Sequence, residues 1–127
     1  MHENEIARII VDTCYQIHRK LGPGLLESVY VVILLHELRK RGLEVEREVP
    51  IPVVWDGVHI DVAFRADLIV NGKVIIEAKS VEKLAPVHAK QLLTYLRLAD
   101  MRLGLLVNFG EKLIKDGIER VANDLAE

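Results

Sequence analysis

Apolar residues at Ile6, Ile9, Ile10, Thr13, Cys14, Ile17 and Leu21 recur at three- and four-residue spacing, which predicts a helix with one buried stripe from about Asn4 to Lys20. Asn4 is the candidate N-cap. Gly22-Pro23-Gly24 then interrupts the pattern. From Leu25 to Arg41 the run is too long for an ordinary strand, ends on Arg39-Lys40-Arg41 and meets Gly42, so a second helix is expected there. Its apolar residues cover most of the circumference, which predicts a helix sandwiched between layers or used in an oligomer.

The period changes after Gly42. Glu44 to Trp55 alternates imperfectly, Asp56-Gly57 is a hairpin signal, Val58 to Val70 is a second β-rich run, and Asn71-Gly72 turns into a third strand, Lys73 to Lys79. Pro50 and Pro52 assign the first strand to a sheet edge, since proline cannot donate to a ladder. Pro86 opens a helix to about Ala99, and Met101 to Asn108 reads as a buried strand. A strand, a crossover helix and a following strand form a parallel unit, right-handed by the general rule. The predicted order is α-α-β-β-β-α-β, a mixed sheet flanked by helices. From Glu111 onward the pattern allows a short strand or a last helix.

Composition narrows the class. The chain has 127 residues, one domain's worth at about 100 to 200 residues per core, and with 50% apolar and 28% charged residues it can bury a core. Residues 1–127 are read as a single domain. The longest apolar run, Val29 to Leu35, is far short of the roughly 20 residues of a membrane span, and the N-terminus lacks the pattern of a signal peptide. A soluble, cytoplasmic protein is the expectation. A single cysteine, Cys14, excludes an internal disulfide and a cysteine-based zinc cluster. With 17 basic and 19 acidic residues, net −2, no uniform positive field draws the protein onto nucleic acid, so such a partner would need a local patch. Aromatic residues are too few for a base-stacking platform.

Candidate chemistry centres on the third strand. Glu77 and Lys79 share a strand face, because side chains repeat every two residues. A two-residue turn at Asn71-Gly72 would pair Asp67 with Ile76 and separate the two carboxylates. A three-residue loop, Asn71 to Lys73, or a bulge would pair Val70 with Val74 and set Asp67 across from Glu77. Facing carboxylates repel unless a cation lies between them. The same residues also fit a solvated face with a surface salt bridge worth about 0 to 1 kcal/mol. Glu27 fits the first turn of a helix, Tyr30 a core position, and His88, Gln91 and Tyr95 one helix face. HExxH, GxGxxG, P-loop and GxSxG motifs are absent, and Cys14 lies in a core stripe.

Gly24-Leu25-Leu26-Glu27-Ser28-Val29-Tyr30 resembles the signature of the GxxExxY family, a branch of the PD-(D/E)XK nuclease-like superfamily. The resemblance continues through Arg65 to Val70, Val74 to Lys79, His88 to Gln91, Tyr95-Leu96-Arg97 and Gly104 to Gly110. It implies an α/β (α+β) restriction-endonuclease-like core. It also implies that Asp67 and Glu77 bind a metal, with Glu27 and the Ala78 carbonyl as further ligands or Glu27 as a water-positioning group. Lys79 would be the lysine of the ExK motif, and Gln91 a catalytic group on the next helix. Tyr30, Arg65, His88 and Tyr95 would contact substrate. Ala66 stands where many relatives have proline, which removes no ligand.

Two readings follow. One is a Mg²⁺- or Mn²⁺-dependent nuclease acting on DNA or, less readily, RNA. The other is a catalytically inactive module of the same fold, acting through self-association, for example as a homodimer, or through a protein partner.

Overall fold

The computed structural model describes residues 1–126. Helix α1 (Glu3–Leu21) forms on the predicted stripe, with Ile6, Ile10, Cys14 and Ile17 buried. Its N-cap is His2 rather than Asn4. His2 Nδ1 accepts the Asn4 N–H at 2.9 Å, and Glu5 returns Oε1 to the His2 N–H at 3.1 Å, a reciprocal cap that Asn4 cannot make from inside the first turn. The Asn4 carboxamide instead accepts from Arg120 at 2.6 Å, which ties α1 to the end of the chain. Gly22 follows at φ 67 and donates to His18 O at 2.7 Å, a close that favours glycine.

Helix α2 (Glu27–Lys40) starts two residues later than the apolar run, leaving Leu25 and Leu26 outside. It buries Tyr30, Val31, Leu34, Leu35 and Leu38, while Val29 and Val32 face solvent. It is therefore covered on one side only, a correction to the sandwiched helix expected from its composition.

Strands β1 (Val45–Trp55), β2 (Val58–Val70), β3 (Val74–Lys79), β4 (Leu103–Asn108) and β5 (Ile118–Ala122) lie side by side in sequence order. β3 and β4 are parallel and all other neighbours antiparallel. Helix α3 (Pro86–Ala99) links the parallel pair. The ambiguous tail resolves as a 3-10 turn, Ile114–Gly117, followed by the short strand β5. β1 is an edge, as its prolines require.

Two cores lie on opposite faces of the sheet. α1 and α2 pack on Leu68, Val70, Val74, Ile76, Ala78, Leu105 and Val107. Leu92 and Leu96 of α3 pack on Ile69, Ile75 and Leu106. The β1–β2 pair changes allegiance part-way. On β2, Phe64 and Ala66 face the α3 core, whereas Leu68 and Val70, of the same parity, face the other. On β1, Val45 and Ile51 divide in the same way. The reversal falls at Glu48 and Asp67, which are skipped within the register from Val45↔Val70 to Ile51↔Phe64, and Glu48 has φ 49; a second irregularity follows between Ile51 and Val53. This is the physical reason for the imperfect alternation in the sequence.

The chain after β3 is fixed from β4. Asn108, fully buried, accepts the Val81 N–H at 3.0 Å and the Gly110 N–H at 3.0 Å, and donates to Val81 O at 2.9 Å. Gly110 passes so close to this segment that a Cβ would lie 2.2 Å from Val81 O. Gly110→Ala is therefore expected to destabilise the protein by about 1–3 kcal/mol through forced overpacking, read as a lower urea midpoint at unchanged slope.

Candidate active site

The loop between β2 and β3 has three residues. Val70 pairs with Val74, Ile69 with Ile75 and Leu68 with Ile76, so Asp67 comes opposite Glu77 as the longer loop requires. At that point side chains replace the ladder. The Asp67 N–H donates to Glu77 Oε2 at 3.0 Å, and the Ala78 N–H donates to Asp67 Oδ2 at 2.9 Å. Each carboxylate thus holds the backbone beside the other. Both side chains are half-buried, on the edge of the α3 core.

This crowding raises the Glu77 carboxyl to about 8. Burial is the main cause, followed by the charge of Asp67; the Asp67 N–H and the nearby Lys79 ammonium act the other way. Lys79, two residues along β3, is half-buried on the same face and pairs with Asn108 of β4. Tyr95 of α3 stacks on Phe64, with ring centroids 3.8 Å apart. Its phenol is pushed above the usual range by burial first and then by the charges of Glu77 and Asp67, so it faces the carboxylate pair.

Glu27, the first residue of α2, arrives from a different direction. Its Oε1 accepts the Ser80 N–H at 3.4 Å, and Ser80 Oγ donates to Leu25 O at 2.6 Å, joining the start of α2 to the end of β3. Among the described residues no three His, Cys, Asp or Glu side chains gather closely enough to hold a metal ion. The structure therefore brings Asp67 and Glu77 together and leaves Glu27 against Ser80.

The remaining candidates divide. Gln91 is exposed on α3, one turn before Tyr95. His88 is half-buried, and its Nδ1 accepts the Ala85 N–H at 3.1 Å, so that nitrogen caps α3. Arg65 is exposed opposite Pro50, on the face of β2 away from Phe64 and Ala66. Tyr30 is fully buried. It stacks on Phe109 at 4.4 Å and donates to Gly22 O at 2.6 Å, so substrate contact gives way to a structural role, holding the glycine loop that leads to Glu27. Ala78 is buried with its N–H taken by Asp67. Spacing and motif alone give no role to Ser80, Asn108 or Phe64. A lone amide ending an otherwise apolar strand was the available signal for Asn108, since a buried polar group needs partners.

Three helices around a five-stranded mixed sheet, with an aspartate on one strand facing the glutamate of an ExK pair on the next, define a restriction-endonuclease-like α+β fold. Residues 4–121 match the family model of the PD-(D/E)XK nuclease superfamily, and the chain belongs to that superfamily. No curated protein and no solved structure matches the chain.

The carboxyl of Glu77 ties stability to pH. Folding lifts it from its ordinary value of 4.5 to about 8, so the native state binds the extra proton between those values. Without divalent cations, the contribution of Glu77 to stability is full below the ordinary value and is lost as pH rises toward about 8. Glu77→Gln is expected to remove that slope and to be the more stable protein at the alkaline end, as read from thermal melts across pH.

Proposed function

We propose that the chain is a divalent-metal-dependent phosphodiesterase acting on nucleic acid, DNA before RNA, and that it falls in the GxxExxY branch of the superfamily. The observation that carries this reading is the reciprocal pairing of Asp67 and Glu77. Two crowded carboxylates, one of them lifted to about 8, form an oxygen-only donor set that gains from a cation between them.

Asp67 and Glu77 would hold Mg²⁺ or Mn²⁺, with the Ala78 carbonyl as a further oxygen. A bound ion would supply an acidified water and neutralise charge on phosphoryl oxygens. Lys79 makes no ion pair with either carboxylate at salt-bridge distance and is free to stabilise the phosphate as charge develops there. Gln91 and Tyr95 orient a water or a phosphate oxygen from α3. Glu27 holds the turn after Lys79 through Ser80 and can position a water at the rim. Substrate attraction falls to local cations such as Arg97, Lys90 and Lys83, because net charge provides none.

Calorimetric titration of Mn²⁺ and Mg²⁺ into the wild type should show saturable binding that Asp67→Asn/Glu77→Gln abolishes with an unchanged circular dichroism spectrum. Because the metal displaces the Glu77 proton, apparent affinity should climb about tenfold per pH unit below about pH 8. Lys79→Ala should lower cleavage of DNA at least about 100-fold while leaving metal binding in place. Retained cleavage by Glu77→Gln or Lys79→Ala overturns the assignment. Metal binding with no cleavage of DNA or RNA favours the non-catalytic module.

A further inference from the structure

Beyond Ile51 and Phe64 the β1–β2 hairpin leaves both cores. Every residue from Val54 to Ala63 is exposed, although β1 and β2 remain strands to the Asp56-Gly57 turn. Val53 pairs with Ile60 and Trp55 with Val58, so strand alternation places these four apolar side chains on one face of the arm. Trp55 is 75% exposed. A two-stranded ribbon is marginal in water by itself, and an apolar patch of this kind marks a contact surface.

Two features decide what covers it. No lysine or arginine lies between Arg47 and Arg65, and the segment carries Glu48, Asp56 and Asp61, so phosphates are repelled rather than held. Strand addition along the outer edge of β1 is also disfavoured, because Pro50 and Pro52 lack the donors it needs and Glu48 distorts the edge at φ 49. The apolar face is what remains. We infer that it packs against the same face of a second copy of this chain, about a twofold axis. An antiparallel crossing sets the two Asp56 turns at opposite ends, away from each other. The exposed apolar side chains of the arm amount to about 500 Å² per copy, so two copies reach about 1,000 Å², the lower bound for a specific interface. The pair therefore forms as concentration rises and separates on dilution. The contact does not involve the carboxylate site.

Trp55 is the only tryptophan, and it reports directly on this contact. Sedimentation of the metal-free protein over about a hundredfold range of concentration should show the mass rising toward twice the monomer. Trp55 emission should shift to the blue over the same range. Val58→Lys should abolish both changes, with metal binding and circular dichroism unaltered. A monomer at every concentration overturns the inference. So does a dimer that survives Val58→Lys, which would move the interface to the exposed Leu26, before α2, and Val29 and Val32 on it. A blue shift that appears only with added oligonucleotide would assign the arm to nucleic acid instead.

Discussion

A sheet normally satisfies its N–H groups with carbonyls from the neighbouring strand, but at Asp67 and Ala78 the acceptors are carboxylates. The exchange joins fold and chemistry in one place. An unpaired buried N–H would be costly, so each carboxylate is held by the backbone it satisfies, and neither can leave without exposing a donor. Both remain where like charges repel. The Glu77 proton relieves that repulsion in the absence of a cation.

The break in the ladder is prepared on both sides of β2. Toward β1 the register skips Glu48 and Asp67, and the strands reverse the face they turn to the core. Toward β3 it stops at Leu68. Asp67 is thus a pivot between the exposed end of a long hairpin and the buried centre of the sheet. Apolar contacts then set the polar groups: Phe64 stacks on Tyr95 beside the carboxylates, and Tyr30 stacks on Phe109 beneath the loop that delivers Glu27.

Much of this was legible in the sequence because it depends on local rules. The α1 stripe, the edge prolines, the Asp56-Gly57 turn and the wholly buried β4 follow from period and turn chemistry. Where tertiary partners decide, the sequence was silent or misleading. His2 displaced Asn4 as a cap because its ring could pair with Glu5. The β-branched residues of α2 looked like a second buried face until the layers were known. Spacing left open whether Asp67 met Glu77, and one loop residue, Lys73, made the difference. Tyr30 shares a motif and nearly a helix face with Glu27, yet one turn further along α2 it is buried against Phe109, whereas Glu27 at the exposed start of the helix reaches Ser80. Membership of the nuclease superfamily added the meaning of the carboxylates; periodicity alone allowed a solvated salt bridge.

Asn108 uses one side chain as a neighbouring strand would use its backbone, accepting from and donating to Val81 while also taking the Gly110 N–H. The hydrogen-bonded lattice therefore extends one rung past the last strand residue, on the side where Glu27 and Ser80 meet. Evolutionary insertions between β3 and α3 then have a fixed starting point. Chain length can vary beyond Val81 at little entropic cost, whereas an added residue between Lys79 and Val81 would draw Val81 out of its two bonds to Asn108.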